Sequence, residues 1–396
     1  MMSKEDGWIS PKIIIGSGAT GDYYYERELI EDEIWREILK GNNILISAPR
    51  RVGKTSVMKS ITNNPKKGYK MIFENIQGIN TEIMFYKTLY ELILKCLSKF
   101  ATNKEKIKNY FKQIGLTEIS ATSLKFEGKT LDYVYEINKI LPQLDQEGEV
   151  IVLLIDELPE VLHTLHKSGK NEEAISILKN LRHWRQEEDY KMLKFVIAGS
   201  IGIHHVVNQV DGRTSDINDI KSIDCPALDN EQFDDYLNWA VKDASIVFDK
   251  TSTMYFKDKI QYFVPYYINL MLDEMDKSAM ISQEKNIMSN DIDNAFNKIM
   301  KDNSYFTDWK KRLKDYLKPE DFSFVNQVLI KTSHEDDITA QDLYDMAVKA
   351  NKTEDYMDLV YDLVHDGYLY NDNDKYRFIS PFLKQYWLRT NPIYKA

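Results

Sequence analysis

Six consecutive apolar residues, VIVLLI, occupy Val150–Ile155, and two acids follow them. The run is far shorter than the roughly 20 residues that a membrane-spanning helix needs. It suits a strand buried on both faces, in the middle of a parallel sheet covered by helices. Four other short, largely apolar runs alternate with helix-like patterns. They are Asn43–Ser47, Lys70–Ile76, Lys194–Ser200 and Lys221–Cys225. The chain therefore predicts an α/β fold with a central parallel five-stranded sheet.

The segments around these strands are predicted to be mostly helical. Apolar residues at three- and four-residue spacing between the second and third strands predict a helical insertion at about 81–146. After Pro226, DNEQFDDYL begins a helical region that continues to about Lys301. Asp229 is placed as the N-cap of its first helix, and Gln232 is placed to reach back to it.

The final segment has a different order of elements. Three helices are followed by GYLYNDNDKYRF, which predicts a β-hairpin turning at 371–374. Three helices and a hairpin are typical of a winged-helix domain. We therefore expect an α/β core at 1–226, a helical lid at 227–301 and a winged-helix-like domain at 302–396. The three helices are predicted at Phe322–Lys331, Ala340–Ala350 and Glu354–Asp366.

Composition and charge exclude several classes of protein. The 396 residues are 43% hydrophobic and 29% charged, as in a globular protein rather than a collagenous or low-complexity one. Cys96 and Cys225 are the two cysteines, so no disulfide framework or CxxC metal site is expected. The first residues lack the apolar core of a signal peptide, and we predict a cytoplasmic location. The formal net charge of -10 opposes nucleic acid and anionic membranes, although a local basic patch could override it.

The segment SAPRRVGKTS joins the first predicted strand to a helix and is close to the phosphate-binding pattern G-x-x-x-x-G-K-[ST]. Ala48 replaces the first glycine, and alanine is tolerated there if its φ is negative. We expect backbone N–H groups to face a phosphate, Lys54 to reach the β- and γ-phosphates and Thr55 to hold Mg²⁺. A chance match is the alternative, and the strand–loop–helix context counts against it. The predicted nucleotide-binding residues are Ala48, Pro49, Arg50, Arg51, Val52, Gly53, Lys54, Thr55 and Ser56.

Carboxylates at the end of another buried strand would complete such a site. Asp156 follows VIVLLI and would bind Mg²⁺, while Glu157 could orient and deprotonate an attacking water. Taken alone, the pair could equally be the acidic end of a strand. Ser200 ends the strand FVIAGS and could position water or the γ-phosphate, because ligands lie at the carboxyl ends of parallel strands. A glycine-containing turn that merely leaves the strand explains Ser200 equally well.

APRRVGKT, VLLIDE and GSIG together resemble the archaeal-type P-loop ATPase family, in the STAND branch of the AAA+-related NTPases. YYYERELIEDEIW before the first strand and YRFISPFLKQYWLR near the C-terminus resemble further segments of that family. The resemblance implies a switch or motor that binds ATP and Mg²⁺ and moves its lid and winged-helix domain. It also implies that Tyr25 and Arg27 lie near the adenine and that Pro265 lies near the nucleotide. Glu26 stands where the family has glycine, and the lid segment VPYYINL contains no arginine.

Some charged residues near these motifs have more than one interpretation. Arg50 and Arg51 could add positive charge beside the phosphates, or they could face solvent or surface acids. One of Arg182, Arg185 and Arg213 could act as an arginine finger, or each could form a weak surface ion pair. A separate pair, His163 and His166, lies one turn apart, and a solvated helix face is a better interpretation of it than a metal site.

The last predicted helix, EDYMDLVYDLVHD, bears on nucleic-acid binding. A DNA-reading helix needs Lys or Arg, whereas this segment has five acids and neither basic residue. We therefore predict a protein partner or self-association and no membrane, and nucleic acid is not favoured at this helix. Three functions stay open: an ATP-hydrolysing switch, for example in signalling or defence; a winged-helix nucleic-acid-binding ATPase; and a nucleotide-binding scaffold with little turnover.

Overall fold

The computed structural model describes residues 7–98, 109–110, 112, 116–119, 124–126, 131–145, 150–199, 202–212 and 215–394. Contacts between Cα atoms group the chain into two compact units. The sheet unit contains Arg27–Ser47 and Thr55–Asp224. The C-terminal unit contains the residues up to Glu26, the loop Ala48–Lys54 and Cys225–Ala396. The domain boundaries drawn from the sequence remain a prediction.

The sheet unit is built around a parallel sheet. Its elements in chain order are α1 (Glu28–Leu39), β1 (Ile44–Ser47), α2 (Lys54–Asn63), β2 (Tyr69–Asn75), α3 (Glu82–Ser98), β3 (Leu116–Ile119), β4 (Leu124–Phe126), α4 (Tyr133–Asp145), β5 (Val150–Asp156), α5 (Leu158–Lys167), α6 (Asn171–Gln186), β6 (Leu193–Ala198), α7 (Ile203–Asp211) and β7 (Lys221–Asp224).

Five strands form the sheet in the order β2-β5-β6-β1-β7, and every neighbouring pair is parallel. The predicted five-stranded parallel sheet is therefore confirmed. Residues 151–155 of β5 are fully buried, as expected of an apolar strand with neighbours on both sides and helices on its faces. The register pairs Asp156 at the end of β5 with Asn75 of β2 and Ala198 of β6. The carboxyl ends of these strands therefore lie at one edge of the sheet.

The insertion between β2 and β5 differs from the expected helical stretch at about 81–146. α3 and α4 are helices, but β3 and β4 pair as antiparallel strands between them. β3 contains β-branched Thr117 and Ile119, which favour extended backbone. Apolar spacing alone therefore gave the wrong secondary structure for this part of the insertion.

The C-terminal unit is mostly helical. Its elements in chain order are α8 (Asn230–Val241), β8 (Val247–Phe248), α9 (Lys250–Ile260), α10 (Pro265–Ser282), β9 (Asn286–Ile287), α11 (Ser289–Lys301), α12 (Ser304–Tyr316), α13 (Pro319–Glu335), β10 (Ile338–Thr339), α14 (Ala340–Lys349), α15 (Tyr356–His365), β11 (Leu369–Asp372), β12 (Lys375–Phe378) and α16 (Pro381–Thr390).

The expected start of α8 is confirmed in detail. The Gln232 backbone N–H donates to the Asp229 carboxylate at 2.8 Å, and the Asp229 N–H donates to the Gln232 side-chain oxygen at 3.2 Å. This reciprocal capping satisfies two backbone donors that a helix leaves without intrahelical partners.

The predicted C-terminal hairpin is also present. β11 and β12 are antiparallel, and Asn373 and Asp374 at the turn both have positive φ. Asn and Asp tolerate this conformation better than most residues. β10, a strand of two residues that the sequence did not predict, pairs with β12 to make a three-stranded sheet. Within the ranges given above, no helix combines the length and apolar character required to span a membrane.

Candidate nucleotide-binding site

The loop Ala48–Lys54 has a backbone shaped by two positive φ angles. Arg51 has φ 70° and Gly53 has φ 108°, while Val52 between them is buried. A residue in the left-handed region turns successive N–H groups toward one point, and such concave turns bind anions. An added Cβ at Gly53 would meet nothing within 4 Å, so glycine is needed for its backbone conformation rather than for space.

Lys54 closes this loop through its side chain. Its ammonium donates to the backbone carbonyl of Ala48 at 2.8 Å and to that of Pro49 at 2.9 Å. The side chain is buried, with the whole residue only 7% exposed. These two bonds connect the last residue of the loop to its first two and hold a buried positive charge at the start of α2.

The two predicted Mg²⁺ ligands lie together in the sheet unit. The Thr55 hydroxyl donates to the Asp156 carboxylate at 2.6 Å. Asp156 is 1% exposed at the end of β5, and Thr55 lies in the first turn of α2. Hydroxyl and carboxylate oxygens are hard ligands of the kind that Mg²⁺ prefers. Among the described residues, no group of three or more His, Cys, Asp and Glu side chains could hold a metal. A Mg²⁺ at this pair would therefore need oxygens of a nucleotide or water to complete its coordination.

Glu157 adopts a backbone conformation that is unusual for its residue type. Its φ of 68° and ψ of 30° are left-handed, and its N–H donates to the Ala198 carbonyl at 2.8 Å. The residue occupies the N-cap position of α5. Left-handed residues other than glycine cost roughly 1 kcal/mol or more and concentrate at functional sites. The strained turn places Glu157 directly after Asp156.

The turn after β6 comes close to the start of α5. A Cβ added at Gly199 would lie 2.6 Å from two ring atoms of Pro159. Glycine is therefore required for the end of β6 to pass so close to the helix that follows Glu157. Sequence reasoning identified the GSIG segment but did not assign Gly199 this role. Ser200, the residue proposed there as a water or γ-phosphate contact, lies outside the described residues.

The structure describes the contacts of two of the three candidate arginine fingers. Arg182 donates to the Ser215 carbonyl and to Asp216, and Arg185 donates to the Asp216 carbonyl and to Asp219. These contacts connect α6 to the segment before β7, which is a structural role. Arg213 lies outside the described residues.

The histidine pair of α5 differs in part from its prediction. His163 is 6% exposed, so the expected solvated helix face is wrong for this residue, which lies on the buried side of the helix. His166 Nδ1 lies 2.9 Å from the Asn171 side-chain oxygen.

The residues expected near the base occupy three separate local settings. Tyr25 packs edge-on against Tyr236 and Trp239 of α8, with ring centroids 5.1 and 5.6 Å away. Arg27 is buried and occupies the N-cap position of α1, and Pro265 is the first residue of α10. The adenine contacts expected of these residues remain a prediction.

Sequence reasoning missed the aromatic partners of Tyr25. The Tyr236 hydroxyl donates to the Asn269 side-chain oxygen at 2.6 Å, and the Asn269 amide donates to the Ile14 carbonyl at 3.0 Å. Burial raises the pKa of Tyr236, which therefore stays a neutral phenol. The pattern YLNW in α8 carries both rings, but nothing local in it indicates Tyr25 as their partner.

Arg50 and Arg51 each lie over an aromatic ring, a contact that the sequence did not predict, and their expected place beside the phosphates remains a prediction. The Arg51 guanidinium lies over the Tyr266 ring at 4.4 Å, and the Arg50 guanidinium lies over the Trp309 ring at 5.6 Å. Guanidinium groups are attracted to the faces of aromatic rings. Both arginines therefore bind aromatic residues of the C-terminal unit, to which their loop also belongs.

This fold and these motifs together define a P-loop ATPase fold. A GKT loop follows the first strand of the parallel sheet, and an Asp–Glu pair lies at the carboxyl end of the interior strand β5. The model of the AAA-like domain family matches residues 17–294, and the chain belongs to that family. No curated protein matches the sequence.

Solved structures of archaeal proteins share the fold at low sequence identity. The Walker-type ATPase of Pyrococcus abyssi is 15% identical with a TM-score of 0.61, over 93% of this chain and 97% of that one. The ORC2 protein of Aeropyrum pernix, solved in ADPNP–ADP complexes, is 10% identical with a TM-score of 0.51, over 92% and 94%. At these identities the likeness shows the fold, and the chemistry has to be argued from the residues of this chain.

Proposed function

We propose that this protein is a Mg²⁺-dependent ATPase that acts as a nucleotide-controlled switch. The observation that carries the proposal is the 2.6 Å bond from the Thr55 hydroxyl to the buried Asp156 carboxylate. A buried carboxylate is rare unless it is paired or binds a metal. This one meets the hydroxyl that follows a closed phosphate-binding loop, which is the arrangement that binds Mg²⁺ and a nucleotide in P-loop enzymes.

Each residue has a defined part in this chemistry. A bound Mg²⁺ would neutralise phosphate charge, and Thr55 and Asp156 are the residues that would hold it. The Lys54 ammonium would bind the β- and γ-phosphate oxygens, and the loop N–H groups would bind the β-phosphate. Glu157 would orient a water molecule and accept its proton. Its left-handed backbone is a geometric reason to assign the base to this position.

The base of the nucleotide would bind near Tyr25. The Tyr25, Tyr236 and Trp239 rings contact one another in pairs, and the bond from Tyr236 to Asn269 fixes the Tyr236 ring. Aromatic faces of this kind bind planar bases by stacking. As the family resemblance implies, Arg27 would lie near the adenine, and Pro265 of the lid would lie near the nucleotide.

The output of the switch would pass through the C-terminal region to a protein partner. Three helices, α13 to α15, precede the hairpin β11–β12, and β10, between α13 and α14, is the third strand of its sheet; this order supports a winged-helix-like domain. We assign this region as a winged-helix-like domain and the protein to the STAND branch, working in the cytoplasm. Signalling and defence are settings in which such a switch would act. The acidic α15 region favours a protein partner over nucleic acid.

Lys54 and Glu157 substitutions test the ATPase proposal. Lys54→Ala should abolish ATP turnover and weaken nucleotide binding, because the loop loses its buried phosphate-binding charge. Glu157→Gln should bind ATP at wild-type affinity while turnover falls about 100-fold or more, because it removes the general base. Steady-state phosphate release and ATP binding by fluorescence measure both quantities.

An exposed lysine of α6 supplies the matched control for these variants. Lys179→Ala should turn over ATP like the wild type. Unchanged turnover in Lys54→Ala or Glu157→Gln would overturn the enzymatic proposal. Tight ADP binding with negligible turnover in the wild type would support the nucleotide-binding scaffold instead.

A further inference from the structure

Arg51 combines a strained backbone conformation with a close contact of its side chain. Its φ of 70° lies in the left-handed region, which residues with a Cβ enter at an energetic cost. Such conformations persist when surrounding contacts hold them. The contact available here is the Tyr266 ring, which lies 4.4 Å from the Arg51 guanidinium carbon. The attraction of a guanidinium to an aromatic face is of the same order as this strain, about 1 kcal/mol.

Tyr266 is itself firmly held and can therefore fix the position of the Arg51 guanidinium. It is a buried residue in the first turn of α10, directly after Pro265. Its ring packs edge-on against Tyr267 at 5.5 Å, and Tyr267 stacks on Phe382 at 5.0 Å. Burial raises the pKa of the Tyr266 phenol, so the ring stays neutral and its face remains attractive to a cation.

Two further contacts hold the same loop. The Arg50 guanidinium lies 5.6 Å from the Trp309 ring of α12. A Cβ added at Gly367 would lie 2.6 Å from the Pro49 Cβ, so the turn after α15 packs directly on the loop. Three consecutive loop residues, Pro49–Arg51, therefore contact three different segments of the C-terminal unit. The loop conformation is held by distant residues as well as by its own sequence.

We propose that Tyr266 is a positioning residue for nucleotide binding. Its ring holds the Arg51 guanidinium and so keeps the loop in its phosphate-accepting conformation before a nucleotide arrives. The Arg51 side chain then acts as an anchor of the backbone and not as a phosphate ligand. The inference rests on the proposed nucleotide binding by this loop and adds to it the residue that preorganises the loop. Preorganisation raises affinity because the ordering of the loop precedes binding.

Variants of Tyr266 give the first test, with ADP affinity of the full-length protein measured by calorimetric titration. Tyr266→Leu should raise the Kd about 5- to 30-fold, which is the range for loss of one cation–π contact. Tyr266→Phe keeps the aromatic face and should bind within about twofold of the wild type. Tyr344→Leu, a change at an exposed tyrosine of α14, is the matched control and should not alter the Kd.

Variants of Arg51 separate an anchor from a phosphate ligand and do not depend on how Tyr266→Leu folds. Arg51→Ala loses the anchor but keeps the left-handed strain, whereas Arg51→Gly loses both. Arg51→Gly should therefore bind ADP about fivefold more tightly than Arg51→Ala. Adding Tyr266→Leu to Arg51→Gly should change the Kd less than about twofold, because no guanidinium is left to hold.

Three results would overturn the inference while leaving the proposed function intact. They are unchanged or tighter binding by Tyr266→Leu, equal losses in Arg51→Ala and Arg51→Gly, and a full Tyr266→Leu effect in the Arg51→Gly background. If the wild-type protein binds no ADP, the proposed function itself fails, and this inference fails with it.

Discussion

At the residue scale, the candidate site is marked by three positive φ angles. Arg51 and Gly53 lie in the loop, and Glu157 follows β5. Gly53 adopts its angle freely, whereas Arg51 and Glu157 do so against the preference of L-residues. Strain at two residues of one predicted site is a better sign of function than the sequence motif alone, because motif matches also arise by chance.

The conformation of Gly53 leads to a prediction for Gly53→Ala. The new methyl group would meet no atom within 4 Å, so its effect comes from the backbone angle of 108° alone. We expect ADP affinity to fall about tenfold, because alanine disfavours this angle and the loop relaxes away from it. Calorimetric titration with ADP measures the change.

Gly212→Ala is the matched control for this change. Gly212 ends α7 with φ 67° and also has open space around it. Its substitution should lower the free energy of unfolding and leave ADP affinity unaltered. Wild-type affinity in Gly53→Ala would contradict the assigned role of the loop backbone.

Local residues of the candidate site could be named from the sequence, and the distant residues that contact its loop could not. Lys54, Thr55 and Asp156 follow from a loop motif and from the acid after an apolar run, which short windows of sequence reveal. Tyr266 and Trp309 lie more than two hundred residues after Arg51 in the chain. Neither the spacing nor the composition of α10 and α12 indicates that their rings face arginines of a loop near the N-terminus.

At the element scale, the strand prediction held for buried and for partly exposed strands. β1, β5 and β6 are short, largely apolar runs, because an interior parallel strand is covered on both faces. β2 and β7 at the edges are less buried and were predicted from the alternation of strand-like and helix-like segments. β10 escaped prediction because a strand of two residues has no measurable period. α15 begins at Tyr356 rather than at the predicted Glu354, because the sequence locates the ends of a helix less sharply than its interior.

The acidity of α15 and the hairpin turn leads to a prediction about DNA. From Thr353 to Asp374 the chain has seven acids and no Lys or Arg. Asp358 and Glu354 are exposed, while nearby Lys352 is paired with Asp321 and Asp355. A DNA phosphate backbone would be repelled by this surface. We expect no shift of duplex DNA by the wild-type protein in an electrophoretic assay at low ionic strength.

A charge-reversed variant makes that negative result informative. Glu354→Lys/Asp358→Lys should gain weak binding that disappears as salt is added, if charge sets the outcome. Wild-type binding with a steep salt dependence would instead support the winged-helix nucleic-acid-binding ATPase.

At the scale of the whole molecule, each unit contains some of the residues to which the proposed function assigns a role. The sheet unit carries Thr55 and Asp156, the pair suited to Mg²⁺. The C-terminal unit carries the loop that ends at Lys54, together with the aromatic residues that hold its arginines. The family match over residues 17–294 includes all of these positions except Trp309. The role assigned to Trp309 therefore rests on its contact in this structure and not on the family match.

The central claim is that the Thr55–Asp156 pair binds Mg²⁺ together with a nucleotide held by the loop. Calorimetric titration of ADP with and without Mg²⁺, on the wild type and on Asp156→Asn, tests it most directly. Mg²⁺ should tighten ADP binding by the wild type, and Asp156→Asn should lose most of that Mg²⁺ effect while still binding ADP alone. A wild type that binds no ADP, or a Mg²⁺ effect of equal size in both proteins, would contradict the claim.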